Sequence, residues 1–218
     1  KNYSSAIKLY DELSAKYPYG VSAAQGHLDK AYAHYKSNEN TEAIAACNNF
    51  IQLYPSHPAV DYAYYLKGLA STAQDDGILS RISRQDFTER DPESANRAFY
   101  AFKELITRFP NSKYAADARL RMQQIAHNLA AYELHVARYY LARRGYLAAA
   151  NRAQFVVTNF PNTPLNEEAL VIMVQAYDKL GQTQLRDDAK RVFELNYPHS
   201  ELLSDYTPSE QKKWWKIW

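Results

Sequence analysis

The chain has 218 residues, of which 46% are hydrophobic, and its 26 basic and 24 acidic residues leave a net charge of +2. This balance gives no concentrated basic surface, so strong nucleic-acid binding is not expected. No segment approaches the run of about 18 apolar residues that a membrane-spanning helix needs. A single cysteine, Cys47, excludes an internal disulfide.

An aromatic residue followed by proline recurs along the chain. The pairs are Tyr17-Pro18, Tyr54-Pro55, Phe109-Pro110, Phe160-Pro161 and Tyr197-Pro198. In the first four cases an alanine stands 12 residues before the proline, and apolar or small residues follow that alanine after 4 and 7 residues. These offsets place all three residues on one face of a helix. Proline then ends the helix, because it pushes the preceding residue out of the α region.

Each of these helices has an expected partner upstream, except the first. Before the alanine of the opening unit, Ala6, there is no room for another helix, so this unit is expected to be incomplete. In later units the partner stripes are Ala24, Leu28, Ala31 and Tyr35; Ala59, Ala63, Leu66 and Ala70; and Ile125, Leu129, Tyr132, Val136 and Tyr139. In the last unit Tyr177 and Gly181 stand four residues apart, as tyrosine and the turn glycine do in tetratricopeptide repeats.

The prolines of successive pairs are 37, 55, 51 and 37 residues apart. The outer spacings match a tetratricopeptide unit of about 34 residues with a slightly longer connection. The extra residues of the 55-residue spacing lie in the polar segment 71–91. We interpret this segment as an ordered loop that ends at Asp91-Pro92, where a helix starts. Those of the 51-residue spacing lie in residues 111–144, which contain neither glycine nor proline. This surplus of about 14 residues predicts about 20 Å of extra helix.

The predicted fold is all-α, an α-solenoid of about five tetratricopeptide-like helix-turn-helix repeats with the first one incomplete. In the last repeat Arg186 and Lys190 occupy positions that are apolar elsewhere. A polar face of this kind favours a terminal cap, since no further repeat covers the end of a solenoid. Solenoids present surfaces to partners, so the predicted function is protein binding.

Nothing in the sequence points to catalysis. The histidines show no zinc-binding spacing, and one cysteine cannot anchor a zinc cluster. Asp75-Asp76-Gly77 lacks the further carboxylates of a calcium loop and is better explained as a turn. There is no phosphate-binding glycine loop and no nucleophile elbow. We therefore predict no enzyme activity, no cofactor and no metal site, with Cys47 as a small buried hydrophobe.

The C-terminal tail, residues 212–218, combines three tryptophans with three lysines. Such a tail can lie at a lipid headgroup surface, bind a partner groove or fold back onto its own solenoid. It is short for independent membrane binding, which favours docking on the chain itself or on a partner.

Residues in the turns and on the surface give the chain a more specific resemblance. They include Tyr17-Pro18-Tyr19-Gly20, His57-Pro58, Asp61-Tyr62, Lys67-Gly68-Leu69, Arg90-Asp91-Pro92, Phe109-Pro110-Asn111-Ser112, Tyr132-Glu133, Tyr139-Tyr140, Gly145 and Asn151-Arg152. Across nearly the whole chain the sequence resembles the BamD family (ComL in some species), tetratricopeptide lipoproteins of the bacterial outer-membrane β-barrel assembly machinery. A generic tetratricopeptide protein would share the alanine–proline scaffold but not these residues.

The resemblance implies a lipid-anchored protein on the periplasmic face of the outer membrane of a Gram-negative bacterium. Its anchor would be an N-terminal cysteine that this sequence lacks, and a start without methionine favours a processed or truncated product. The implied function is that of an adaptor. Repeats in residues 1–93 would recognise unfolded outer-membrane β-barrel proteins, and repeats in residues 94–218 would dock the periplasmic (POTRA) domain of BamA. Other Bam lipoproteins are further candidate partners.

The resemblance also implies site residues. Tyr17, Tyr19 and Gly20 match the substrate side, where an extended peptide could stack on the tyrosines and approach the backbone at Gly20. Tyr17 could instead fill the turn between helices, as the other pre-proline aromatics do, whereas Tyr19 has no equivalent in other units. Arg152 matches the BamA contact. It lies off the core stripe, so it is expected to be exposed, with donors that could pair with a carboxylate.

A second function stays open on the residues alone. The same repeats would serve in a generic cell-envelope scaffold, for example one associated with peptidoglycan. Capture of BamA by the chain would separate the two functions. The tail at 212–218 departs from the family pattern, and the resemblance assigns it no role.

Overall fold

The computed structural model describes residues 2–18, 20, 22–73, 92–204, 206 and 208. These residues form nine helices and no strand, which confirms the all-α prediction. The helices are α1 (Tyr3–Lys16), α2 (Ala23–Lys36), α3 (Asn40–Leu53), α4 (Val60–Ala73), α5 (Pro92–Arg108), α6 (Ala115–Ala142), α7 (Tyr146–Asn159), α8 (Asn166–Lys179) and α9 (Thr183–Asn196). None of these described helices is both long and apolar enough to cross a bilayer.

The helices follow the arrangement of tetratricopeptide repeats. In sequence order, α2 with α3, α4 with α5, α6 with α7 and α8 with α9 are four pairs, and α1 is the second helix of the opening repeat. Neighbouring helices pack from α1 through α5 and from α7 through α9. The turns inside three pairs each contain a left-handed residue, at Asn38, Arg144 and Gly181, with φ of 61°, 63° and 68°. This regularity confirms the predicted helical repeats.

Each second helix ends at the aromatic residue before proline, as predicted. Tyr54 has φ of −130° and ψ of 55°, and Tyr197 has φ of −131° and ψ of 58°, so both have left the α region. The backbone N–H of each still donates to the carbonyl four residues earlier, at 2.9 Å for Tyr54 and 2.8 Å for Tyr197. The aromatic residue is therefore the last one held by the helix.

The predicted stripe of alanines lies in the core. Ala43, Ala98 and Ala149 are fully buried, and so are the residues that follow them by four and seven positions. One of these is Cys47, and its burial raises the pKa of the thiol to about 12. Cys47 is thus a buried hydrophobe, as predicted, and its thiol stays protonated at neutral pH.

The chain divides into two compact units, Lys1–Ile125 and Ala126–Trp218. The boundary falls inside α6, whose 28 residues are twice the 14 of α4. The surplus predicted for residues 111–144 is therefore helix.

The stripe predicted along the second part of α6 holds at Ile125 and Leu129, which are buried, but is wrong further along. There Ala130, Leu134 and Ala137 are buried, whereas Tyr139 is exposed. A spacing of 3.5 residues drifts around a helix by about 20° per heptad. In the second unit this part of α6 has other neighbours, because its side chains pair with residues of α7 and α8. Those neighbours, rather than the upstream pattern, decide which face is buried.

The polar cap predicted for the last repeat is also wrong in one respect. Arg186 is buried, and its Nη1 lies 3.3 Å from Oδ1 of Asp178, which is buried as well. Arg186 can occupy an apolar position because α8 supplies this counter-charge. Beyond α9 the chain also adds apolar cover, since Leu203 packs on the cluster that contains Phe193.

Several predictions fall outside the described residues. They concern the loop at 74–91, with its Asp75-Asp76-Gly77 turn, and the tail at 212–218. At the start of the loop segment, residues 71–73 are the last turn of α4.

Gly68 sets how closely α4 and α5 approach. A Cβ atom added there would lie 2.4 to 2.7 Å from three ring carbons of Phe102, which is fully buried. We expect Gly68→Ala to lower the free energy of unfolding by about 1–2 kcal/mol, because overpacking outweighs the gain in helix propensity. Chemical denaturation of the two proteins measures the difference.

Gly26→Ala is the matched control. Gly26 is also buried inside a helix, but its added Cβ would meet only the mobile end of Leu13 at 3.2 Å and Tyr10 at 3.7 Å. This variant should be neutral or slightly more stable. Equal effects of the two substitutions would contradict the proposed clash with Phe102.

Candidate partner-binding surfaces

The turns between repeats share one hydrogen-bond pattern. The carbonyl of the pre-proline aromatic accepts the N–H three residues later, for example His57 to Tyr54 at 3.0 Å and Ser112 to Phe109 at 3.0 Å. In four turns the side chain at that third position also accepts an N–H two residues further on. The acceptors are His57 (3.1 Å), Ser112 (3.1 Å), Thr163 (3.4 Å) and Ser200 (3.2 Å).

Gly20 occupies this position in the first turn and has no side chain to act as acceptor. Its N–H donates to Tyr17 O at 3.1 Å, and its carbonyl accepts from Ala23 N at 2.9 Å, so the backbone follows the common pattern. A Cβ atom at Gly20 would lie 3.3 Å from Tyr17 O, a tight but small contact. The conformation therefore does not demand glycine. What distinguishes this turn is the missing polar side chain and the room that it leaves.

Tyr17 is more exposed than the other pre-proline aromatics. It is 63% exposed, whereas Phe160 is buried and the others are half-buried. Tyr54 and Phe109 contact the first helix of their own repeat, through His27 and Tyr64. Tyr19, the third predicted substrate residue, lies outside the described residues.

Arg152 lies on the outer side of α7 and is exposed, as predicted. Its Nη1 is 2.9 Å from Oε2 of Glu133 on α6, and the two side chains are 46% and 13% exposed. The hydrogen bond with Glu133 raises the pKa of the Arg152 guanidinium above its ordinary value. Arg152 therefore carries a fixed positive charge, and the less exposed carboxylate of Glu133 holds its guanidinium in place.

The repeat register contains a signal for Arg152 that its immediate sequence does not. The position nine residues before the proline is Arg152 in α7, but it is Leu9, Ala46, Ala101 and Ala189 in the other second helices. An arginine at a position that is otherwise apolar departs from what the scaffold needs. Glu133 gives no such signal, because it is 19 residues away on a different helix.

Phe155 is a further residue that sequence reasoning missed. It lies one helical turn after Arg152 and is exposed. In the first unit the same register position holds Glu12, Asn49 and Glu104. Comparing the repeats position by position would have found it.

These turns and helix surfaces define the class of protein, a tetratricopeptide-type helical-repeat protein whose candidate sites are surfaces for other proteins. Residues 1–192 match the YfiO family, described as an outer membrane lipoprotein. The chain belongs to this family.

Curated relatives share most of the chain. A Neisseria meningitidis protein (strain Z2491) is 45% identical over 217 residues, which are 100% of this chain and 81% of the relative. A Vibrio cholerae protein is 36% identical over 192 residues, 88% of this chain and 80% of the relative. A Xylella fastidiosa protein (strain Temecula1) is 35% identical over 213 residues, 98% and 71% of the two chains. All three are named outer membrane protein assembly factor BamD.

The first turn can be given the side-chain acceptor that the other four have. We expect Gly20→Ser to be more stable than Gly20→Ala by about 0.5–1 kcal/mol, because the serine hydroxyl can accept the N–H of Ser22. The alanine variant carries the same steric cost of a Cβ atom, so the difference between them isolates the hydrogen bond. Urea denaturation of both variants measures it. Equal stabilities would mean that a serine hydroxyl at position 20 does not accept this N–H.

Proposed function

We propose that this chain is an outer membrane protein assembly factor that acts as an adaptor and not as an enzyme. It binds unfolded β-barrel proteins through its first repeats and docks the periplasmic POTRA domain of BamA through its last repeats. The observation that carries the proposal is the match over 217 residues to a relative named as such a factor. Two exposed residues that depart from the repeat pattern support it, Gly20 in the first unit and Arg152 in the second.

The proposal includes a location. The protein works at the periplasmic face of the outer membrane, where family members are lipoproteins. The lipid anchor would be attached to a cysteine outside this sequence. Other Bam lipoproteins are candidate partners, and no nucleic acid is involved.

On the substrate side, the proposal assigns Tyr17, Tyr19 and Gly20 to binding of an extended targeting segment. Exposed aromatic rings bind apolar and aromatic side chains at low entropic cost, because few bonds need to be fixed. The ring of Tyr17 is accessible in this way. Gly20 adds room beside it, since the polar side chain of the other turns is missing. The assignment of residues 1–93 to substrates and 94–218 to BamA is part of this proposal.

Removal of the Tyr17 ring tests the substrate side. We expect Tyr17→Ala to weaken binding of a fluorescent C-terminal peptide from an outer-membrane β-barrel protein roughly tenfold, as loss of an aromatic anchor does. Fluorescence anisotropy gives the dissociation constant. Tyr100→Ala is the control, because Tyr100 is 58% exposed in the same unit, close to the 63% of Tyr17. If both variants bound the peptide like the parent protein, Tyr17 would have no role in substrate binding.

On the BamA side, the proposal assigns Arg152 to a carboxylate of the partner. Arginine presents five donors in a fixed fork, so one guanidinium can serve an internal and an external acceptor at the same time. Phe155 lies beside it and adds an exposed aromatic ring. Arginine and aromatic residues together are typical of the few side chains that carry most of an interface's binding energy.

Charge reversal tests this contact. We expect Arg152→Glu to weaken capture of purified BamA periplasmic domains about 100-fold or more, since it places a carboxylate against a carboxylate. Arg191→Glu is the control, because it makes the same change at an exposed arginine of the same unit. Biolayer interferometry gives both affinities. Undiminished capture by Arg152→Glu would remove Arg152 from the interface.

A further inference from the structure

Two arginine–glutamate pairs join α6 to later helices of the second unit, and they differ in how the guanidinium is used. Arg138 contacts both oxygens of Glu168, through Nε and through Nη2, the latter at 2.7 Å. Arg152 contacts Glu133 through Nη1 alone, at 2.9 Å. Among the described residues its guanidinium has no second hydrogen-bond acceptor. The Arg138 pair is closed in the sense that Glu168 occupies the whole Nε–Nη2 edge of the guanidinium, whereas Glu133 takes a single Nη1 donor of Arg152 and leaves that edge free.

The two side chains of the Arg152 pair differ in how deeply they are buried. Glu133 is the less exposed partner, at 13% against 46% for Arg152. The carboxylate therefore lies on the inner side of the pair, and the unused donors of Arg152 lie toward solvent. Phe155, one turn along the same helix, is exposed as well. An incoming acceptor would meet an arginine that Glu133 already holds in position.

An unpaired arginine on a helix surface samples many rotamers, and binding must select one of them. Holding the guanidinium in place beforehand removes part of this ordering cost from the binding step. The same carboxylate keeps the charge of Arg152 in place as the interface loses water. Both effects act through Arg152 and need no contact between Glu133 and the partner.

We infer that Glu133 is the positioning residue for a carboxylate-binding site at Arg152, which it holds by one edge while the other edge receives an acidic side chain of the partner. This inference rests on the proposed function of Arg152. It distinguishes Arg152 from Arg138, whose Nε–Nη2 edge Glu168 already occupies.

The test compares single and paired substitutions in binding and in stability. Glu133→Gln keeps the size of the side chain but removes its charge. We expect it to weaken capture of purified BamA periplasmic domains roughly three- to tenfold, with the melting temperature close to that of the parent protein. Glu168→Gln is the matched control, because it removes the charge from the closed pair. It should leave capture unchanged.

A double exchange, Glu133→Arg with Arg152→Glu, separates positioning from a purely structural link. The exchanged pair can still join α6 to α7. The arginine is now at the less exposed position 133, and the glutamate is at the more exposed position 152. We expect capture to stay as weak as with Arg152→Glu alone, while the melting temperature returns toward that of the parent protein. Restored capture would overturn the inference, because the pair would then act only as a link between helices.

The two levels of the proposal fail in different ways. If Arg152→Glu leaves capture unchanged, the assignment of Arg152 to the interface is wrong. If Arg152→Glu abolishes capture but Glu133→Gln matches the parent protein, Arg152 contacts the partner and Glu133 does not position it. A loss of capture by Glu168→Gln as large as that by Glu133→Gln would also overturn the inference, since any charge removed from this face would then have the same effect.

Discussion

The repeats of this chain are kept in register by the stop that proline imposes on each second helix. The residue before proline cannot remain helical, so Tyr17, Tyr54 and their equivalents turn the backbone out of the helix at the same point each time. The hydrogen bond that follows has the same spacing in every turn, and after the first four turns the next helix begins six residues beyond the aromatic residue. Because turn length does not vary, alanines a fixed distance upstream meet the neighbouring helix repeatedly. The core of each unit follows from this local rule.

Much of the fold could be predicted because this rule is local. The helix ends, the buried alanines and the extra length of α6 all follow from distances to proline and from helical periodicity. The predictions that were wrong depend on residues far away in sequence. Arg186 is buried because Asp178 on the preceding helix neutralises it, and the buried face of α6 changes where its neighbours change. Periodicity within one segment contains no information about either.

The candidate sites are places where the chain departs from its own pattern. Gly20 lacks the side-chain acceptor of the other turns, and Arg152 replaces a residue that is apolar in every other repeat. The exposure of Arg152 could be predicted from its position off the core stripe. Its pairing with Glu133 could not, because nothing in the sequence relates two helices that meet only after folding. Departures of this kind are therefore the candidates for partner-binding positions.

The close approach of α4 and α5 has a consequence for how the sequence can change. The ring of Phe102 occupies the space that a side chain at position 68 would need. The two positions are therefore not free to vary independently. A larger residue at 68 becomes acceptable only after the side chain at 102 has become smaller, and shrinking that side chain first opens a cavity. Each single step lowers stability, and only the pair restores it. Suppressors of a substitution at Gly68 are therefore to be sought at 102, in a helix that follows a long intervening segment.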